Sequence, residues 1–152
     1  MLQASDISFF MSELEGSSGG SMSTLQIPLN EMCRIFGDVT RLQARFGGVD
    51  YRKVFMVNTS ATETLQLARM WFLSQPAYGN VMAMGLGTPT DTDGTIISYA
   101  SPTDYSAALF LGDLGPSAVT PIWLQRVVSA GTKDFDRAFF QLALNGKAQP
   151  GV

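Results

Sequence analysis

From Tyr51 onward the chain is a succession of short apolar runs divided by turn residues. This rhythm constrains the fold more than any other feature. The runs are YRKVFMVN (Tyr51–Asn58), TLQLARMWFL (Thr64–Leu73), VMAMGL (Val81–Leu86), TIISYA (Thr95–Ala100), AALFL (Ala107–Leu111), Ile122–Val128 and RAFFQLAL (Arg137–Leu144). Stretches such as NTSATET, QPAYGN, GTPTDTDG and GDLGPS separate them, and these are turn and loop material. Seven runs in about 94 residues, with turn signals every 8 to 15, leave no room for β-α-β units. The spacing predicts an antiparallel β-sandwich or barrel.

A strand of period two buries one parity against a second sheet. In the second run Leu65, Leu67, Trp71 and Leu73 share a parity that Arg69 breaks. In the last run Ala138, Phe140, Leu142 and Leu144 share one, and Met82 and Met84 alternate as core residues do. Trp123, within Ile122–Val128, is expected in the core. Pro121 lacks an N–H, so the start of its strand is expected at an edge or a bulge.

The first 50 residues read differently. DISFFMSELE suits one strand or a helical turn, and GSSGGSMS (16–23) is flexible by composition. In PLNEMCRIFGDVTRLQARFGG, Leu29, Cys33 and Phe36 fall at helical spacing, after Pro28 and before Gly37 or Gly47, which predicts one short helix. The expected organisation is an N-terminal arm with a short helix (residues 1–50), a sandwich of about seven strands (51–146) and a C-terminal tail (147–152). Met11, Gly19, Gly20, Met22 and Met32 are the expected partner contacts in the arm.

The sequence offers little for catalysis. It has no histidine and a single cysteine, Cys33, which removes imidazole triads, imidazole metal sites, thiolate cages and any internal disulfide. Asp91 and Asp93 in TPTDTDGT do not meet the spacing of a helix-loop-helix Ca²⁺ loop and read as a turn, as do Asp134 and Asp136. GSSGGS lacks the Lys-Ser/Thr ending of a phosphate loop. No enzyme activity, cofactor, metal or small-molecule substrate is expected. The net charge is −3, and the densest positive stretch, Arg34, Arg41, Arg45, Arg52 and Lys53, is interspersed with acids and reads as a solvated face. Nucleic acid is therefore not an expected partner. No stretch reads as a secretory signal or a membrane helix.

Charged residues make up only 15% of the chain against 45% hydrophobic ones. A typical soluble domain carries roughly 25% charge, so part of this surface is expected to be covered by other protein.

Two resemblances attach to these residues. VFMVNTSATETLQLARMWFLSQP (Val54–Pro76) with the later LGDLGPSAVTPIWLQRVVSAGT resembles bacterial immunoglobulin-like modules of the CARDB/NEW3 type, which implies an immunoglobulin-like sandwich. Those segments, with RAFFQLALNG, the Asp6-Ile7 strand start and the Gly/Ser segment, are also similar to small virion structural proteins of tailed bacteriophages. In that group Arg and Thr of a V-R-R-T run often stand where this chain has Gln125 and Val128, while Arg126 remains here. This second resemblance implies a non-enzymatic subunit made in the host bacterial cytoplasm. It would assemble with itself and other virion proteins as capsid decoration, neck, tail or baseplate. The alternative is an adhesion or carbohydrate-binding sandwich, with Tyr78, Tyr99 and Tyr105 as its aromatic set.

Overall fold

The computed structural model describes residues 2–28, 35–76, 80–132 and 140–150. In chain order its elements are β1 (Ile7–Ser12), β2 (Met22–Ile27), α1 (Arg41–Phe46), β3 (Gly48–Asn58), β4 (Glu63–Ser74), β5 (Asn80–Leu86), β6 (Leu109–Leu114), β7 (Val119–Val128) and β8 (Gln141–Pro150). They form two antiparallel sheets, one of five strands in the order β2-β1-β3-β7-β5 and one of three in the order β6-β4-β8. The chain is an all-β sandwich.

The run β1-β3-β7-β5 is the A-B-E-D order of immunoglobulin domains, and β4 and β8 take the places of C and F. Two features are additional: β2 extends the first sheet beyond β1, and β6 stands on the far side of β4. Among the described residues no strand occupies the position beside β8 that strand G fills in that fold.

Inward residues of both sheets make one core. Val54, Met56, Met82, Met84, Ile122 and Leu124 from the five-stranded sheet meet Leu65, Met70, Phe72 and Phe140 from the other side. Asn58 ties two connections to this core. Its Nδ2 donates to the carbonyls of Glu63, Leu114 and Gly115 at 2.9, 2.9 and 3.1 Å. The β3–β4 turn and the β6–β7 turn, the two segments behind the immunoglobulin resemblance, are thus joined by one buried amide.

The expected boundary at residue 50 falls inside β3. β1 pairs with β3 along Ile7–Met11, and Ile7, Phe9 and Ile27 belong to the main core. Ile7–Ser12 and Met22–Ile27 are thus strands of the five-stranded sheet, and the alternation of Ile7 and Phe9 matches the inward parity of β3. β2 arises where composition suggested a flexible stretch, because only Ile27 of it is deeply buried and the strand shows little apolar period. β8 likewise runs on past residue 146 to Pro150.

The short helix lies within the expected stretch but is centred late, at Arg41–Phe46. Thr40 caps it by accepting from the Gln43 N–H, and the Gln43 side chain accepts from the Thr40 N–H. Leu29, Cys33 and Met32 lie outside the described residues, as do Tyr78, Asp134 and Asp136. Thr95–Ala100 is not a strand. Gly94–Ile96 forms a 3₁₀ turn, and only Ala100 makes a bridge, to Met84. Pro121 lies in the central strand β7 rather than at an edge. The β5–β7 pairing ends at Leu86–Ile122, and the Pro121 carbonyl accepts from Gly87 N at 3.1 Å. Its missing N–H thus falls where β5 has already ended. No helix among the described residues is long and apolar enough to cross a membrane.

Candidate functional site

The site is made by one extra residue in β4. Leu65 pairs with Leu114 and Ala68 with Gly112 on one side, while Gln66 pairs with Lys147 and Arg69 with Asn145 on the other. Three steps along β4 match two along each neighbour, so β4 carries a bulge. Leu67 sits in it with a φ of 53°, and its N–H donates to the Asp113 carboxylate at 2.8 Å. Both neighbours supply glycine. Gly112 has a φ of 80°, and a Cβ on Gly146 would lie 2.7 Å from Leu65 Cδ1 and 2.9 Å from the Gln66 carbonyl.

A bulge exchanges the two faces of everything beyond it. Ala68, Met70 and Phe72 therefore point into the core, and Leu67, Arg69, Trp71 and Leu73 do not. The expectation that Leu67, Trp71 and Leu73 share the core parity of Leu65 is corrected on this ground. Leu73 is 66% exposed.

The re-aimed side chains form a cluster on the outer face of the three-stranded sheet. Phe110 is the cross-strand neighbour of Arg69. The Arg69 guanidinium carbon lies 5.1 Å from the Tyr105 ring centre and 5.6 Å from that of Phe110. Trp71 meets Tyr105 edge-on, with centroids 5.8 Å apart and planes at 88°. Tyr105 rides on a turn pinned by Asp104, whose carboxylate accepts from Ser106 Oγ at 2.7 Å and Ala107 N at 2.9 Å. These two bonds hold the Asp104 carboxyl below its ordinary value. Tyr105 and Phe110 remain 52% and 51% exposed. A guanidinium between two rings is pre-ordered. The cluster thus offers rigid apolar and cationic area at little entropic cost.

The outer face of the five-stranded sheet is built the opposite way. Lys53 and Trp123 are cross-strand neighbours there, and two loops, residues 13–21 and 87–96, cover them. Trp123 is buried as expected, but beneath loops rather than between the sheets. Lys53, expected on a solvated face, is 0% exposed. Its Nζ meets Asp91 Oδ1 at 2.5 Å, Gly20 O at 2.8 Å and Asp91 O at 3.1 Å, and stands 4.9 Å from the Phe55 ring centre. The Trp123 indole donates to Asp91 Oδ2 at 3.0 Å. Partial burial pushes the Asp91 carboxyl up; the Lys53 ammonium, the Thr88 amide and the indole outweigh it and hold the group below its ordinary 3.8. The glycines of the covering loop permit this contact: a Cβ on Gly87 or Gly94 would lie 2.6 or 2.8 Å from the indole. Asp91 is thus a latch for the loop, a role that the turn reading of TPTDTDGT did not include.

The expected partner contacts separate. Gly19 and Gly20 are buried; Gly19 packs against Thr92 and the Trp123 ring, and Gly20 gives its carbonyl to Lys53. Neither is open to a partner. Met11 is partly buried and packs on the core, while Met22 is exposed on β2. Of the expected aromatic set, Tyr99 is half-buried against Tyr51 and donates to Gly94 O at 2.8 Å. Burial, then the neighbouring Tyr51, Asp91 and Asp93, push its hydroxyl above the ordinary 10.0. Of the two described members of that set, Tyr105 is the one that stands in an exposed aromatic cluster. Trp71 and Phe110 join it because of a bulge that the sequence pattern does not announce.

Among known proteins, no family model, no curated protein and no solved structure matches this chain.

Proposed function

We propose that this chain is a non-enzymatic structural subunit that acts by protein–protein contact, of the kind from which tailed-phage particles are built. One observation carries the assembly reading. The bulge at Leu67 turns Arg69 and Trp71 out of the core and groups them with Tyr105, Phe110 and Leu73 on an exposed sheet face. Trp, Tyr and Arg are the residues that dominate binding energy at protein interfaces, and exposed apolar groups of this kind mark contact surfaces. The low charge of the chain points the same way. The assignment to a phage particle rests on the sequence resemblance.

The same cluster favours one second reading, a carbohydrate-binding sandwich, since aromatic rings on a sheet face also stack against sugars. Fluorescence quenching separates the two. Trp71 is partly exposed and Trp123 is buried, so iodide should reach only Trp71 at low protein concentration. Assembly predicts that the quenchable fraction falls as protein concentration rises. Protection that depends on added oligosaccharide, and not on protein concentration, would favour the second reading and count against the first.

A further inference from the structure

We infer that two copies of this chain pair through the outer face of the three-stranded sheet, each setting its Arg69 against the Asp113 carboxylate of the other. The inference rests on the assembly reading above and names the partner, a second copy, and the register of the contact.

The β4 bulge leaves a cation and an anion on this face, on opposite sides of a bare spot. Ala68 pairs with Gly112 at the bulge. To one side Arg69 pairs with Phe110, and its guanidinium lies between the Phe110 and Tyr105 rings. Among the described residues no carboxylate pairs with that guanidinium. To the other side Asp113 is exposed, and among the described residues its carboxylate takes only the Leu67 N–H. Arg69 and Leu67, which carries Asp113, are two residues apart, or about 7 Å along a strand. The rings hold the guanidinium on the Phe110 side. Between the two charges a Cβ on Gly112 would meet nothing within 4 Å, so the backbone there is open to close approach.

This layout is self-complementary. A two-fold axis lying between two such faces, across the strands at Ala68 and Gly112, exchanges the two sides. Arg69 of each copy then lies over Leu67 and Asp113 of the other, and two ion pairs form at once. Gly112 meets Gly112 at the axis and lets the sheets close. Leu67 and Phe110, 52% and 51% exposed, leave water beside it. The contact is isologous and closes at two copies. A purely acidic partner would meet Asp113 and a purely basic one Arg69; a second copy satisfies both. A guanidinium already ordered between rings loses little entropy on meeting a carboxylate. Leu67, Leu73, Tyr105 and Phe110 are each more than half exposed. They leave on the order of 400 Å² of apolar surface in water, enough to mark a contact. That is about half of the roughly 800 Å² that each partner brings to a stable interface, so the pair should come apart on dilution.

Sedimentation equilibrium on the full chain, from micromolar to near-millimolar, tests this with Arg69→Glu, Asp113→Lys and Asp113→Asn. The wild type should pass from one chain mass to two as concentration rises. Arg69→Glu and Asp113→Lys each set like charges together, and each should stay at one chain mass with the wild-type circular-dichroism spectrum. Mixed in equal amounts they should regain the two-copy mass, because each then answers the other's charge. Asp113→Asn keeps an acceptor for the Leu67 N–H and should pair about tenfold more weakly, since the loss occurs at both ends of the contact. A wild type that stays at one chain mass throughout overturns the pairing. So does a two-copy mass that survives either reversal, or a mixture of folded variants that stays at one chain mass. If Asp113→Lys does not fold, Asp113→Asn decides: self-association as tight as that of the wild type overturns the pairing. Iodide quenching of Trp71 separates this failure from failure of the assembly reading. A wild type of one chain mass whose Trp71 is shielded only by another protein loses the pairing and keeps the reading. Trp71 open to iodide under every condition removes both.

Discussion

Asp91→Ala is the substitution whose cost follows most directly from the geometry. It removes the carboxylate from an ammonium that is 0% exposed, from the indole N–H of Trp123 and from the Thr88 amide. Breaking one side of a buried ion pair costs about 3–5 kcal/mol because the remaining charge stays buried without its partner. Here the carbonyls of Gly20 and Asp91 still accept from Lys53, which places the loss near the lower end. The orphaned indole adds about 1 kcal/mol. The expected total is about 3–4 kcal/mol, or a Tm lower by roughly 6–16 °C for a chain of this size. Thermal and urea unfolding followed by circular dichroism read it. Lys53→Met/Asp91→Ala removes the stranded charge as well and should recover much of the loss. A single variant within about 1 kcal/mol of wild type, or a double variant no better than the single, would refute the latch.

Acid reports on the same group. The Asp91 carboxyl titrates below its ordinary 3.8 in the folded chain, so the unfolded chain takes up the proton first. Its contribution is complete above that ordinary value and is lost as pH falls through the lower folded one; Asp91→Ala should flatten this part of the Tm–pH curve. Gly146→Ala forces a Cβ against Leu65 and the Gln66 carbonyl and should destabilise by about 1–3 kcal/mol in urea unfolding. Asp113→Ala removes the acceptor of the bulged Leu67 N–H; a loss of about 1 kcal/mol and faster hydrogen exchange at that amide are expected. Deleting residues 1–24 removes β1 with Ile7 and Phe9. It should unfold the chain in circular dichroism, and a cooperative β spectrum in the product would contradict the placement of β1 inside the sheet.

The architecture was legible wherever a strand's neighbours left its period undisturbed. β3, β5 and β7 follow their apolar runs, and Phe140, Leu142 and Leu144 keep the parity their spacing implies. What escaped was set by distant residues. Nothing around Leu67 signals a turn; its bulge depends on Gly112, Asp113 and Gly146 in other strands. A local pattern read without them assigns Trp71 to the wrong face. Lys53 looks solvated in YRKVFMVN because its acceptors, Gly20 and Asp91, arrive from two separate loops. β2 was hidden because an edge strand beyond the smaller sheet buries too little to need an apolar alternation. Gly19 and Gly20 looked like flexible linker, yet glycine also serves where backbone must approach a buried ring closely, as Gly19 does at Trp123.

The claim on which the functional account depends is that the face re-aimed by the β4 bulge is made to be covered by protein. Hydrogen exchange on the full chain at low and near-millimolar concentration measures this directly, in wild type and in Trp71→Ser/Phe110→Ser. The account predicts that amides around Arg69–Leu73 and Tyr105–Phe110 of the wild type gain protection with concentration, and that the variant, equally folded, gains none there. Exchange at those amides that is independent of concentration in both proteins, and unchanged by any co-purified partner, would contradict it.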